Sequence, residues 1–308
     1  MSLIVFATTS EGIVLAGDSR QSYINRRGMV KTGSDNVFKI FELNNMVGMG
    51  ATGLGTMIEN NTNKSIRKFV EEFKKSVDIQ NKGVTEVSKI VYDWFLSKYD
   101  LDSKIKTLRD RLNVDYKMQN LEIIDMTNTK TELTIKYYDY EKRVCEKKYP
   151  FPKELNFMIT GFNNDGTYEL YSMSIPGEIE KKRTSNMIGM EYGVNWEGQA
   201  DIVGRILKGY DFRISNISFV QESIDKYGKD TINNQLNNLQ YSIQWGTMPL
   251  QDAVEFCELI IKTTIAIQKF SDGIIADPGE VAGVGGEIDI AVIKPETGFS
   301  WVKRKNII

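Results

Sequence analysis

Ser2 is the residue with the strongest potential for chemistry, because it directly follows the initiator methionine. A small second residue normally permits removal of that methionine, which leaves Ser2 at the N-terminus. An N-terminal serine carries a nucleophilic hydroxyl and, in its own α-amine, a base with a reference pKa of ~7.7–8.0. Ser2 is therefore a candidate nucleophile. The alternative is a plain Met-Ser start, which many cytoplasmic proteins have.

Histidine is absent from all 308 residues. Its absence excludes Ser-His-Asp and Cys-His catalysis and every histidine-ligated metal site. The two cysteines, Cys145 and Cys257, are too few for a disulfide framework or a four-thiolate zinc site. Each is either a small, partly buried hydrophobic residue or a reactive thiol. The sequence therefore predicts neither a metal nor a cofactor.

Asp18 directly follows the apolar residues 13–17, and a charge at the end of such a strand normally needs a partner. Residues 3–7 and 13–17 predict a hairpin. If that hairpin turns at Ser10-Glu11, paired positions sum to 21, and Leu3 faces Asp18. The carboxylate then lies beside the start of the chain. The alternative for Asp18 is a solvated strand end.

Lys39 interrupts residues 37–41, which are otherwise apolar on both faces of a predicted strand. Such a lysine either lies at a sheet edge with its ammonium group in water, or is buried and paired. A buried lysine shifts its pKa readily and can act electrostatically at a reacting centre. Both alternatives remain open from the spacing alone.

Residues 48–53 match the pattern G-x-G-x-x-G. A dinucleotide site needs this pattern between a strand and a helix, followed by a parallel strand that ends in an acidic residue ~20 positions later. Here the preceding strand is the return arm of a predicted hairpin, and the following segment looks helical. We therefore favour a tight strand-to-helix turn whose backbone N–H groups suit a developing oxyanion.

The elements that must position these residues form a segregated order of strands, two helices, strands, helices and a closing strand. That order favours stacked layers over alternating βαβ units. A polar loop is predicted over residues 19–36. Helices are predicted over 66–77, 84–99, 197–207 and 250–265. Strands are predicted over 3–7, 13–17, 37–43, 46–51, 121–124, 133–140, 155–160, 168–172, 288–293 and 299–302.

Ser2, residues 12–20, residues 39–41 and residues 48–53 occur in an order that resembles the proteasome β-type subunits, within the N-terminal nucleophile hydrolases. A helix over 250–268 and the segments 156–177 and 284–293 extend the likeness. Residues 101–152 and 210–248 fall outside it and are predicted to be insertions into a single domain over 1–308. With these insertions the chain resembles a divergent bacterial proteasome-like protein more than a standard β subunit.

The resemblance implies an α+β fold, a four-layer αββα sandwich of two antiparallel sheets covered by helices. It implies that Ser2 is the nucleophile, where the family usually has threonine. By matching position, Lys39 lowers the pKa of the nucleophile, Asp18 orients it, and the Gly53 N–H binds the oxyanion. Ala51 falls at the substrate side-chain pocket and, being small, leaves room there.

The function implied is a cytoplasmic hydrolase that cleaves amide bonds in peptides or unfolded proteins as a homo-oligomer, in a ring or helical stack. An ATP-dependent unfoldase is a candidate partner. The balance of 39 basic against 41 acidic residues argues against a nucleic-acid coat. No signal peptide and no membrane span are expected. The alternatives are a catalytically silent assembly protein of the same fold and a small-molecule amidase of the same superfamily.

The chain departs from the family pattern in three ways, of which the missing late-strand residues motivate the silent alternative. Serine lacks the methyl group that restrains the rotamer of threonine. Residues 280–283 do not reproduce the family's supporting serine and aspartate, for which Asp277 or Glu280 could substitute. No propeptide precedes Ser2, so activation is expected to depend on methionine removal alone, and a retained methionine would leave that chain inactive.

Overall fold

The computed structural model describes residues 2–25, 27–59, 62–273 and 282–306. Asp277 and Glu280 lie outside the described residues. The strands are β1 (Leu3–Thr9), β2 (Gly12–Gly17), β3 (Gln21–Ile24), β4 (Val30–Ser34), β5 (Ile40–Asn44), β6 (Val47–Gly53), β7 (Thr56–Glu59), β8 (Thr62–Ser65), β9 (Glu122–Asn128), β10 (Glu132–Tyr138), β11 (Val144–Pro150), β12 (Leu155–Phe162), β13 (Tyr168–Ile175), β14 (Ile179–Thr184), β15 (Gly193–Gly198), β16 (Asp289–Lys294) and β17 (Gly298–Lys303). The α-helices are α1 (Ile66–Ser76), α2 (Val84–Lys98), α3 (Leu101–Met118), α4 (Asp201–Lys208), α5 (Ser218–Tyr227), α6 (Lys229–Leu236) and α7 (Leu250–Phe270).

Two five-stranded antiparallel sheets form the centre of the fold. The first sheet has the strand order β15-β1-β2-β16-β17, and the second has the order β14-β13-β12-β6-β5. In the β1–β2 hairpin, Ile4 pairs with Gly17 and Val5 with Ala16, so paired positions sum to 21 as predicted. This register is decided by the alternation of side chains, because a slip by one residue would exchange the two faces of each strand.

Three apolar clusters separate four layers, which confirms the predicted αββα sandwich. Between the two sheets, Ile4, Phe6 and Leu15 of the first sheet meet Met158 and Leu170 of the second. Helices α1 and α2 cover the outer face of the second sheet through a cluster rich in phenylalanine. Helices α4 and α7 cover the outer face of the first sheet. Both faces of β1 and β2 are therefore buried, which explains why residues 3–7 and 13–16 of these strands form continuous apolar runs.

The glycine run 48–53 lies within β6, and its first two glycines face the opposite sheet. A Cβ atom on Gly50 would lie 2.7 Å from a methyl carbon of Ile4, and one on Gly48 would lie 2.7 Å from a methyl carbon of Leu15. These two glycines therefore permit close contact between the sheets. The prediction of a strand-to-helix turn was wrong, because the hairpin β7–β8 follows the run and α1 begins only at Ile66.

The segments predicted as insertions contain more regular structure than their polarity suggested. Residues 101–152 form α3 and the three-stranded sheet β11-β10-β9, of which only two strands were predicted. This segment has its own apolar cluster, centred on Leu112, Leu133 and Ile135. Residues 210–248 contain α5, α6 and short 3₁₀ turns. The single domain over 1–308 remains a prediction.

Two further expectations needed correction. The polar loop over 19–36 contains the hairpin β3–β4. The side chains of residues 21–23 and of β4 are exposed or half-exposed, so the apolar alternation that marks a buried strand is weak there. The helix predicted over 197–207 is α4, which begins at Asp201, because Glu197 and Gly198 still belong to β15. Among the described helices, none combines the length and the hydropathy that a membrane crossing requires.

Candidate active site around Ser2

Ser2 directly precedes β1 and is 6% exposed. Its carbonyl oxygen accepts a hydrogen bond of 2.8 Å from the Gln199 N–H, beyond the end of β15. Because Ile4 points between the sheets, strand alternation places the Ser2 side chain on the same inner face. Ser2 lines an open cleft with about 370 Å³ of empty space. The other lining residues are Arg20, Gln21, Ser22, Val37, Phe38, Lys39, Ala51, Thr52, Gly53, Leu54, Gly55 and Ile66.

Asp18 lies at the end of β2, beside the start of the chain, and is fully buried. One carboxylate oxygen accepts hydrogen bonds from the Leu3 N–H (2.8 Å) and from Lys39 Nζ (2.5 Å). The other accepts from the backbone N–H groups of Arg20 (3.0 Å) and Gly285 (2.9 Å). Four donors surround this buried carboxylate, which a solvated strand end would not have, so its negative charge is well compensated.

Lys39 directly precedes β5 and is 4% exposed, so of the two alternatives the structure has the buried and paired lysine. Its ammonium group forms an ion pair with Asp18, and its carbonyl oxygen accepts from the Ala51 N–H at 2.9 Å. Burial lowers the pKa of Lys39, while Asp18 raises it and the charges of Lys305 and Arg20 lower it further. We expect a cation that gives up its proton more readily than an exposed lysine does.

The Lys39 ammonium group and the Ser2 hydroxyl lie in the same cleft but are not hydrogen-bonded to each other. Lys39 and Ser2 both line the cleft, and Leu3, the residue after Ser2, shares a carboxylate oxygen of Asp18 with Lys39. Within the described part of the chain, Lys39 Nζ donates to Asp18 and forms no hydrogen bond with Ser2 Oγ. Lys39 can therefore act on Ser2 through its charge across the cleft, a field that a low-dielectric surrounding strengthens.

Ala51 and Gly53 form another wall of the cleft and lie at the end of β6. The Ala51 N–H faces Lys39, and strand alternation directs the Gly53 N–H to the same side. Strand β5 begins only at Ile40, so the edge of β6 opposite Gly53 lies beyond the end of its neighbour. A backbone donor in this position is available to an oxygen atom of a bound molecule.

Gly53→Ala is expected to disturb the cleft strongly. Gly53 has φ +91°, and an added Cβ would lie 2.0 Å from the Glu154 carbonyl oxygen, which itself accepts from the Leu54 N–H. Neither the backbone at Gly53 nor that at Glu154 can move apart without breaking that hydrogen bond. We therefore expect a loss of about 2–4 kcal/mol in the free energy of unfolding, measured by urea denaturation.

Gly166→Ala is the matched control for this substitution. Gly166 has φ +82°, similar to that of Gly53, but no atom lies within 4 Å of its added Cβ. The control therefore retains the cost of a left-handed backbone, about 1 kcal/mol, and removes the clash. Equal losses in the two variants would contradict the tight contact between Gly53 and Glu154.

Several residues of the site were not singled out from the sequence. Arg20 donates two hydrogen bonds to Asp35, at 2.7 and 2.9 Å, and lies across Gly285. The Gly285 N–H holds Asp18, and Gly198 has φ +100° with its Cβ direction facing the Ser2 carbonyl oxygen at 1.9 Å. The positive φ of Gly198 and its close contact with Ser2 both require a residue without a Cβ atom. Nothing in the sequence pattern indicates this requirement.

The two cysteines lie away from this cleft. Cys257 is fully buried on α7 against the first sheet, and burial raises the pKa of its thiol. Cys145 is half-buried on β11. No group of three or more acidic or cysteine side chains with the geometry to hold a metal ion occurs among the described residues.

Comparisons with known proteins identify neither a family nor an activity for this chain. No family model matches the sequence, and no curated protein matches it. Among solved structures, the chain is similar to "Anbu (Gly-1) mutant from Hyphomicrobium sp. strain MC1", at 10% sequence identity and a TM-score of 0.49, over 99% of this chain and 86% of that one. A likeness this distant identifies no family and no activity, so the chemistry of the cleft must be judged from its own geometry.

Proposed function

We propose that the protein is a proteasome-like hydrolase that cleaves amide bonds, with Ser2 as its nucleophile once Met1 has been removed. The observation that carries the proposal is the convergence of Ser2, the buried Asp18–Lys39 pair and the end of β6 on one cleft. Sequence positions 2, 18, 39 and 53 are distant along the chain. The roles given to them by the proteasome-like resemblance require this proximity.

In the first half of the reaction, Ser2 Oγ attacks the carbonyl carbon of the substrate, and the Ser2 α-amine accepts the hydroxyl proton. The Gly53 N–H donates a hydrogen bond to the oxyanion that forms. The tetrahedral intermediate then breaks its C–N bond, and the leaving amine takes the proton from the α-ammonium group. This step leaves an ester between Ser2 and the acyl half of the substrate.

In the second half, the same α-amine accepts a proton from a water molecule that attacks the ester. The product carboxylic acid leaves, and the proton returns to Ser2 Oγ. The positive charge of Lys39 favours the alkoxide character that Ser2 develops in both halves, while Asp18 keeps that cation in place. One residue thus supplies both nucleophile and base, which fits a sequence without histidine.

The cleft supports a peptide substrate with an uncharged side chain beside the scissile bond. Ala51 is small, and Phe38, Leu54 and Ile66 contribute apolar walls. Of the two cationic side chains among the described residues that line the cleft, Arg20 is paired with Asp35 and Lys39 with Asp18. Under this proposal the protein acts as a homo-oligomer on peptides or unfolded proteins, with an unfoldase as candidate partner. These last points are supported by the resemblance alone.

Removal of Met1 is expected to switch the activity on. The processed protein, recognised by the loss of one methionine in its intact mass, should hydrolyse fluorogenic peptides, and the unprocessed form should not, because its Ser2 nitrogen is an amide and cannot accept a proton. Treatment of an unprocessed preparation with methionine aminopeptidase should remove Met1, and peptide hydrolysis should rise in proportion to the fraction of chains that have lost the mass of one methionine.

The same experiment separates the proposal from its alternatives. Equal turnover by processed and unprocessed chains would contradict an N-terminal nucleophile. A processed chain without turnover on peptides or on small acyl amides would favour the silent assembly protein. Turnover restricted to small acyl amides would favour the amidase.

A further inference from the structure

A second buried lysine lies beside the Ser2 cleft and has no role in the proposed reaction. Lys305 follows β17, near the end of the chain, and is 6% exposed. Its ammonium group contacts the carboxylate of Asp289, the first residue of β16, and its backbone N–H donates to the other oxygen of that carboxylate at 2.9 Å. Two buried lysines in adjoining positions are costly to keep charged, so their arrangement calls for an explanation.

Lys305 also contacts the two residues that flank the Asp18–Lys39 pair. Its Nζ donates to Ser19 Oγ at 2.8 Å and lies 4.3 Å from the centre of the Phe38 ring. Ser19 follows Asp18 directly, and Phe38 directly precedes Lys39 and lines the cleft. Through these contacts Lys305 holds both neighbours of the catalytic candidates.

Ser19 extends this network to the segment that supports Asp18. Its N–H donates to the Gly285 carbonyl oxygen at 2.9 Å, and its hydroxyl donates to the Glu287 carbonyl oxygen at 2.6 Å. The Gly285 N–H in turn donates to Asp18. A movement of Lys305 would therefore affect the position of Asp18 in two ways: through Ser19, which is bonded to Asp18 in the chain, and through Gly285, which Ser19 and Asp18 both contact.

We propose that Lys305, held by Asp289, is a positioning residue of the Ser2 cleft, which fixes Ser19 and Phe38 and places a second fixed positive charge beside Lys39. This inference rests on the proposed function, because it assigns Lys305 to the same site. Its consequence for Lys39 is measurable without any assay of activity.

Among the described residues, Asp18, Lys305, Arg20 and Asp35 interact electrostatically with Lys39. Asp18 raises the pKa of Lys39, whereas Lys305 and Arg20 lower it. Asp35 is paired with Arg20, and Asp289 is paired with Lys305. Loss of the Lys305 charge, with Asp289 left in place, should therefore raise the pKa of Lys39.

The test is a ¹³C NMR titration of the full-length protein labelled at lysine Cε, with the Lys39 resonance assigned by its loss in Lys39→Arg. Lys305→Met should shift the Lys39 midpoint upward, and Lys305→Arg, which keeps the charge, should leave it near the wild-type value. Lys303→Met is the matched control, because Lys303 is half-exposed and paired with Glu258.

Asp289→Asn distinguishes a charge effect from simple loosening, because it breaks the same ion pair and retains the lysine. The proposal expects no upward shift of the Lys39 midpoint in this variant while the Lys305 resonance shows a protonated amine. An upward shift with Lys305 still protonated, or no shift in Lys305→Met, would overturn the inference. If Lys305→Met does not fold, Lys305→Gln removes the same charge while keeping a polar group toward Ser19, and the same upward shift of the Lys39 midpoint is expected from it.

The outcomes remain separable from those of the proposed function. A shift of the Lys39 midpoint in a processed protein that hydrolyses neither peptides nor small acyl amides would keep the positioning role and reject the hydrolase. In an active protein, Lys305→Met should move the alkaline limb of kcat/KM upward together with the Lys39 midpoint, and an unmoved limb would deny Lys305 any effect on the reaction.

Discussion

Ser2→Ala is expected to lower peptide hydrolysis by about 10⁴-fold or more, measured as kcat/KM on a fluorogenic peptide. Alanine is small enough to permit removal of Met1, so the variant keeps its free α-amine and loses only the hydroxyl. The base and the oxyanion donor therefore remain while the nucleophile is absent. No other serine in the cleft has an amine of its own to take its place, since Ser22 lies within the chain.

Two further variants make this result specific to the Ser2 hydroxyl. Ser2→Thr should retain activity within about 10-fold, because threonine keeps the hydroxyl and its methyl group restricts the rotamer. Ser10→Ala should have no effect, because Ser10 is exposed at the turn between β1 and β2. Unchanged turnover in Ser2→Ala would exclude Ser2 as the nucleophile and end the hydrolase proposal.

Much of the architecture could be predicted because its cause is local. Continuous apolar strands flanked by turn residues predicted the hairpins of both sheets, and the register of β1 against β2 followed from the position of the Ser10-Glu11 turn. That register placed Asp18 beside Leu3, where a backbone hydrogen bond of 2.8 Å now joins them. Burial of Lys39 could not be decided, since an edge position and a paired interior position require the same sequence.

The parts that escaped prediction depend on contacts between distant segments. Gly48 and Gly50 were predicted to form a turn. Their actual role is to give room to Leu15 and Ile4 of the other sheet, a contact that the sequence does not reveal. Lys305 gave no signal, because a lysine after the last strand is usually solvated. Only the folded chain places it next to Asp289, 16 residues earlier, and next to Ser19.

The hairpin β3–β4 and helix α3 were missed for a different reason. Their side chains are largely polar and exposed, so the apolar alternation or helical stripe on which prediction relies is weak. Helix α3 is instead marked by its caps and by the small cluster around Leu112. The sequence therefore predicts elements that bury a face in the main core far better than elements that form an independent surface unit.

Lys39→Met is expected to lower the free energy of unfolding by about 3 kcal/mol and to reduce hydrolysis by about 10²–10³-fold. Methionine fills a similar volume, so the main change is the loss of the cation that pairs with the fully buried Asp18. Three backbone N–H groups still contact that carboxylate, which limits the cost, but they carry no net charge. Urea denaturation measures the stability, and kcat/KM measures the second effect.

Lys82→Met is the matched control for the stability change, because Lys82 pairs with Glu86 on the exposed surface of α2 and solvent screens that pair. Its cost should stay below about 1 kcal/mol, with activity unchanged. Lys39→Arg separates charge from position: it restores a cation but not the compact ammonium group that reaches Asp18, so it should recover more stability than activity. If Lys39→Met lost no more stability than Lys82→Met and retained full turnover, Lys39 would be dispensable for both folding and catalysis. That result would contradict the electrostatic role that the proposed mechanism assigns to Lys39.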